Sequence, residues 1–168
     1  MHAMWRALQS FLEDAPKRVR AERRRAHPLA KSDAQAATPR IPVVALIVSD
    51  HDREVLTCIS HHEPVEIHFA ESHVEAWDAM NRLNSPLIVY DRDWPNAEWR
   101  TTVQAFASSP HRSCVILASR VADDYLWQEL IRCGGHDLLA KPFRADDVAR
   151  ALKLALSYWK SARAAATQ

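Results

Sequence analysis

The hydrophobic pattern becomes regular at residue 41, where short apolar runs begin to alternate with stretches whose apolar residues recur at helical spacing. The runs predict five strands, at 43–48, 65–69, 87–90, 114–118 and 137–140. Each run is followed by a stretch of helical periodicity, and the connections are short. Alternation of this kind predicts an α/β fold with a five-stranded parallel sheet, doubly wound, with helices on both faces.

Signals at the ends of these segments refine the prediction. Val65, Ile67 and Phe69 alternate with polar residues, so the second strand is expected to be half exposed, at an edge of the sheet. Ser72 and Glu75 have the spacing of a capping box, which predicts a helix start. The expected buried face of that helix consists of Val74, Trp77, Met80 and Leu83.

Similar signals bound the later helices. Asp123 or Asp124 is expected to cap the fourth helix, and Gly134 or Gly135 to end it. The last helix is expected to end near Lys160. The chain has only two glycines, which excludes a glycine-rich phosphate-binding loop.

Polar side chains follow four of the predicted strands at their carboxyl ends. They are Asp50, Asp91, Ser119 and Lys141, after the first, third, fourth and fifth strands. The carboxyl ends of parallel strands meet at one edge of a sheet, where ligands bind, so we expect these groups to face one pocket. Two close carboxylates repel, and Mg²⁺ relieves that repulsion with few protein ligands. The lysine and the serine could hold phosphoryl oxygens, and a carboxylate can itself become an aspartyl phosphate.

Charge separates the first 40 residues from the rest. Residues 1–40 contain nine Lys and Arg against four Asp and Glu, whereas residues 41–168 contain thirteen against seventeen. In this basic arm an apolar stripe precedes the basic run at 17–25. Two interpretations stay open: a solvated tail with a linker, or a helix that contacts a partner or an anionic membrane surface. Residues 41–160 then form the folded domain, and 161–168 form a C-terminal tail.

Cysteine use and hydropathy bear on the compartment. Cys58, Cys114 and Cys133 are odd in number and have no C-x-x-C spacing, which is typical of a reducing compartment. No run approaches the about 18 apolar residues of a membrane span, and the first residues lack a secretory signal. We therefore expect a cytoplasmic protein.

Residues 42–160 resemble the receiver domain of response regulators, the CheY-like family. Three motifs carry the resemblance: VVALIVSD at 43–50, LIVYDRDWP at 87–95 and GGHDLLAKPF at 134–143. The resemblance implies the flavodoxin-like strand order 2-1-3-4-5. It also implies a regulatory phosphoacceptor in a two-component phosphorelay rather than an enzyme.

Residue roles follow from the resemblance. Asp91 would accept a phosphoryl group from a histidine kinase or a phosphotransfer protein. Asp50 would bind Mg²⁺ directly, together with Asp91 and the main-chain carbonyl of Asp93. Ser119 would be the switch hydroxyl and Lys141 the conserved lysine, followed by a cis peptide bond.

Two positions depart from the family's pattern. The first strand of the family ends in two acids, whereas this chain has Ser49 before Asp50, with His51 or Asp52 as a candidate substitute. Leu138 stands where the family has an aromatic switch residue. These departures favour an alternative, a phosphorylation-independent pseudo-receiver that serves as a protein-interaction module.

The first hypothesis is a stand-alone receiver that is phosphorylated on Asp91 with Mg²⁺. Its output would run through protein contact, including a homodimer formed by the fourth helix, fifth strand and fifth helix. Only a short Ala-rich tail follows the last helix, so no DNA-binding domain is expected. A small-molecule enzyme on the same fold is the weakest of the hypotheses, because a fold alone does not confer activity.

Overall fold

The computed structural model describes residues 40–110 and 112–166; the predictions for the basic arm at 1–39 and for the last two residues lie outside them. Five strands alternate with five helices in the described part. The strands are β1 (Ile41–Leu46), β2 (Val65–Phe69), β3 (Leu87–Asp91), β4 (Cys114–Ser119) and β5 (Asp137–Ala140). The helices are α1 (Asp50–His62), α2 (His73–Leu83), α3 (Trp99–Ala107), α4 (Asp124–Arg132) and α5 (Ala145–Ala166).

All strand pairs are parallel, and the sheet has the order β2-β1-β3-β4-β5. This confirms the predicted fold class and strand order, and it confirms that β2 lies at an edge. After β1 the chain goes out to the edge strand β2 and returns to β3, so the direction of winding reverses between β1 and β3. Ligands bind at the carboxyl end of such a reversal point.

Two apolar layers cover the sheet because alternate side chains of a strand point to opposite faces. In β3, Leu87 and Val89 join the layer that contains Leu56 of α1 and Leu152 of α5. Ile88 and Tyr90 of the same strand join the layer built with α2, α3 and α4. The helices on both faces therefore pack against buried strands. The carboxyl ends of those strands together form one edge of the sheet.

The start of α2 follows the predicted signal only in part. Ser72 caps the helix and accepts a hydrogen bond from the backbone N–H of Glu75. The Glu75 carboxylate accepts from the backbone N–H of Glu71 at 2.8 Å, one residue before the cap, so the box is not closed as predicted. The predicted buried face is also wrong at Val74, which is 72% exposed. The buried residues of this helix are instead Met80 and two small residues, Ala76 and Ala79.

The later boundaries agree better with the sequence. Asp123 caps α4 and accepts from the backbone N–H of Leu126 at 2.8 Å. Gly134 follows that helix with a φ of +84°, a left-handed conformation that glycine adopts without strain. The last helix continues to Ala166, past its expected end near Lys160. No helix of the described chain is long and apolar enough to cross a membrane.

Replacement of a core leucine should show how much its burial in the apolar layer on the α4 side contributes to the free energy of unfolding. Leu130→Ala removes a fully buried side chain, so the free energy of unfolding should fall by about 3 kcal/mol. Its neighbour Ile131 is 41% exposed, and Ile131→Ala should cost less than about 1 kcal/mol. Urea unfolding followed by circular dichroism gives both values. Equal losses for the two variants would contradict the packing described here.

Candidate functional site

The carboxylate of Asp91 lies at the end of β3 and is fully buried. The Lys141 Nζ donates to its Oδ2 at 2.6 Å, and the backbone N–H of Val48 donates to the same oxygen at 3.2 Å. The other oxygen, Oδ1, accepts from the backbone N–H of Asp93 at 3.1 Å. One ammonium and two amides thus surround a carboxylate that has no contact with solvent.

A second carboxylate, that of Asp52, reaches the same lysine from the first turn of α1. It is 1% exposed, and its Oδ2 lies 3.5 Å from the Lys141 Nζ. Its Oδ1 accepts from the backbone N–H of Phe143 at 2.8 Å. The ammonium of Lys141, whose side chain is 9% exposed, is therefore shared between Asp91 and Asp52.

The hydroxyl of Ser119 lies at the same edge of the sheet. The register of β3 and β4 pairs Asp91 with Ala118, so the serine is the next residue outward on the neighbouring strand. Its Oγ accepts from the backbone N–H of Val121 at 3.1 Å and lies 3.5 Å from the Nη1 of Arg92. The structure therefore brings together three of the polar groups predicted from the strand ends.

Ion pairs join the segments that leave β3 and β4. Arg120 Nε lies 2.8 Å from the Oδ2 of Asp93, so the side chain of Asp93 is directed towards the β4–α4 loop. Farther along, the Nε of Arg100 on α3 lies 3.1 Å from a carboxylate oxygen of Glu129 on α4. The first pair therefore links two loops at the rim of the site, and the second joins α3 to α4.

Among the described residues Asp50 has no hydrogen bond or ion pair with Asp91, Lys141 or Ser119, and its expected role as a magnesium ligand stays a prediction. Ser49 caps α1, accepting from the backbone N–H of Asp52, so the helix begins immediately after the strand exit. Asp50 is exposed on the first turn and lines a groove with His61 and Phe69, toward the β2 edge. Asp52, two residues later, is on the face that turns inward.

The residues at the exit of β1 beside Asp91 are apolar. The ladder between β1 and β3 ends with Leu46 opposite Tyr90. Ile47 follows and is fully buried, and the backbone N–H of Val48 is the group that contacts Asp91. The acidic pair of the receiver family that the sequence resembles corresponds to Ser49 and Asp50 here, and Ser49 serves as the cap of α1.

The donors present do not fit a magnesium ion. Mg²⁺ requires octahedral oxygen ligands at about 2.1 Å, which Asp91 and the carbonyl of Asp93 supply only in part. Asp52 is engaged with Lys141 and a backbone amide, and His51 is exposed on α1. Among the described residues, no three His, Cys, Asp or Glu side chains form a group that could hold a metal ion.

From the sequence, Asp52 is only a candidate substitute for a magnesium ligand. Its signal was the Ser49-x-x-Asp52 spacing, which marks a helix start and so places the acid three residues inside the helix. Leu138 is partly buried and packs against the apolar layer on the α4 side. The peptide bond between Lys141 and Pro142 is cis, as the resemblance implied.

An aromatic cluster lies behind the site, around the residue before Asp91. The Tyr90 hydroxyl lies 3.4 Å from the Nε2 of His73, whose ring also faces Trp94 and Phe106 at centroid distances of 6.0 and 6.4 Å. Burial lowers the pKa of His73 below its ordinary value of 6.5. The neutral imidazole is therefore the form that this cluster favours.

The His73 imidazole should make stability depend on pH. Because its pKa is lowered in the folded state, its contribution is fully present above pH 6.5 and is lost as the pH falls below that value, where the unfolded chain takes up the proton. His73→Phe should reduce the fall in unfolding free energy between about pH 7.5 and about pH 5.5. His61→Phe, at an exposed position, is the control and should leave that fall unchanged. A wild-type slope in both variants would exclude His73 as its source.

A single acid at the exit of β1 should create a magnesium response that we do not expect of the wild type. Val48 contacts Asp91 through its backbone N–H and is 49% exposed, so Val48→Asp adds an accessible carboxylate at a residue adjacent to Asp91. We expect Trp94 fluorescence to show a saturable change with Mg²⁺ in this variant and none in the wild type up to about 20 mM. Asp50→Asn should behave as the wild type does. A wild-type response that Asp50→Asn abolishes would restore Asp50 as a ligand.

Comparisons with known proteins bear on the fold. No protein-family model matches the sequence, and no curated protein matches it either. Solved structures do match, with coverage given first for this chain and then for the other. The signal receiver domain of an HD domain-containing protein from Pseudomonas fluorescens is similar with a TM-score of 0.65 at 20% identity, over 75% and 93%. A response regulator from Thermotoga maritima gives 0.63 at 19%, over 70% and 98%. The chemotaxis protein CheY4 of Vibrio cholerae gives 0.62 at 18%, over 69% and 98%. The chain thus has the fold of a response-regulator receiver domain.

Proposed function

We propose that this protein is a receiver-type module of two-component signal transduction that acts by protein contact and does not depend on magnesium-dependent phosphorylation of Asp91. The receiver fold, with Asp91, Ser119 and Lys141 at its carboxyl edge, supports the signalling role. The single observation that carries the second part is that the second acid of the pocket, Asp52, is paired with Lys141 and a backbone amide and is not free to bind a metal. It corresponds to the pseudo-receiver alternative drawn from the sequence.

Charge in the pocket argues in the same direction. One ammonium, Lys141, faces two carboxylates, Asp91 and Asp52, so the cluster already carries a net negative charge. Transfer of a phosphoryl group brings further negative oxygens, which need preorganised positive charge nearby. Arg92 and Arg120 add positive charge at the rim, but Arg120 is paired with Asp93, and we infer that without a metal the positive charge is too small for that reaction.

Exposed apolar side chains support an output through protein contact. Tyr125 and Ile131 on α4 are 68% and 41% exposed, and Tyr158 on α5 is 59% exposed. Aromatic residues of this kind are common anchors of protein interfaces. A homodimer or a signalling partner that uses α4, β5 and α5 is the form of output that we propose.

The second candidate function is a phosphorylated receiver, with Asp91 as phosphoacceptor, Mg²⁺ as cofactor and a histidine kinase or phosphotransfer protein as donor. The Ser119 hydroxyl and the Lys141 ammonium favour it, because both could bind phosphoryl oxygens. In that case Asp52 or bound water would have to complete the metal's ligands.

A small-molecule phosphodonor separates the two candidates. The full chain incubated with acetyl phosphate and Mg²⁺ should show no added phosphoryl group by intact mass spectrometry, because the pocket lacks the ligands and the charge that the reaction requires. A receiver with a complete acidic site, treated in parallel, checks the reagent, and Asp91→Ala checks the position. An adduct on the wild type that disappears in Asp91→Ala would overturn the proposal in favour of the second candidate.

A further inference from the structure

We propose that Lys141 is the resident cation of this pocket and that Asp52 is the positioning residue that holds it against Asp91. The inference deepens the proposed function and rests on it, since it explains how the site is completed without a metal. Its starting point is a buried acid on α1 that pairs with the same lysine as Asp91. The sequence offers that acid only as a candidate substitute for a metal ligand, not as a partner of the lysine.

The local geometry directs Asp52 away from its own helix. In a capping box the acid three residues after the cap folds back to the backbone N–H of the cap residue, which is Ser49 here. The Asp52 carboxylate instead accepts from the backbone N–H of Phe143, 91 residues later in the chain. Both oxygens of the Asp52 carboxylate therefore contact the segment that carries Lys141.

Burial makes this arrangement energetically significant. Asp52 is 1% exposed, Asp91 is fully buried and the Lys141 side chain is 9% exposed. Loss of the lysine would leave two buried carboxylates without compensation, and loss of the Asp52 charge would remove one of the two attractions that hold the ammonium; both changes should be destabilising. The three charges should therefore behave as one unit.

The same contacts connect the site with α5. Phe143 is 3% exposed and packs in the layer that includes Val148 of α5 and Leu56 of α1. Asp52 lies on the same face of α1 as Leu56, one turn earlier. A change in the charge of the pocket would thus be felt where α5 begins.

Asp52→Asn tests the charge alone, because the amide keeps an oxygen that can accept from Phe143. Asp50→Asn is the matched control: it lies on the same helical turn, so both changes affect the helix dipole alike. We expect Asp52→Asn to lower the folding equilibrium constant roughly tenfold or more. Asp50→Asn should lower it by less than about threefold. Urea unfolding of the full chain measures both.

The decisive comparison repeats Asp52→Asn in a Lys141→Met background. There the lysine is gone and the two carboxylates only repel, so loss of the Asp52 charge should raise the folding equilibrium constant instead of lowering it. A loss of the same size in both backgrounds would overturn the proposal.

Reductive methylation of lysines keeps the test valid if Lys141→Met does not fold. Lys141 should be methylated slowly in the wild type and several-fold faster in Asp52→Asn, with the exposed Lys153 as the internal reference. An unchanged rate would show that Asp52 does not hold the ammonium and would overturn the proposal. These readouts do not involve phosphorylation, so a phosphoryl adduct on Asp91 would refute the proposed function without deciding the role of Asp52.

Discussion

The buried ion pair between Lys141 and Asp91 is the interaction on which the carboxyl edge of this sheet depends. The lysine follows β5 and the aspartate ends β3, so the pair spans the end of the intervening strand β4. A carboxylate that is fully buried would be unstable without such a partner. The pair therefore fixes the ends of three strands relative to one another, and Ser119 at the end of β4 lies between them.

Most of the fold follows from periodicity, because parallel strands covered on both faces produce apolar runs that are easy to recognise. Asp91, Ser119 and Lys141 could be located for the same reason: each directly follows such a run. Asp50 could not. Ile47 and Val48 read as a continuation of the strand, but they already line the exit, and the helix begins at once after Ser49. An apolar run does not show where its strand stops when the residues beyond it are also apolar.

The same difficulty explains the misplaced face of α2. Val74 has the right spacing and hydrophobicity for a core residue, yet alanines take the positions against the sheet and the valine is left in solvent. Close approach of a helix to a sheet favours small side chains, and spacing alone cannot choose between two adjacent apolar stripes. The burial of Asp52 could not be predicted, because a buried acid inside a helix needs a distant partner and no local pattern identifies that partner.

The length of α5 has a mechanical consequence. Its 22 residues correspond to a rod of about 33 Å, whereas the six residues of β1 span only about 20 Å. If α5 tilts as a rigid rod about the turn after Lys141, each degree of tilt moves its far end by about 0.6 Å. Rearrangements too small to alter the sheet could thus become visible to a neighbouring molecule at the tip.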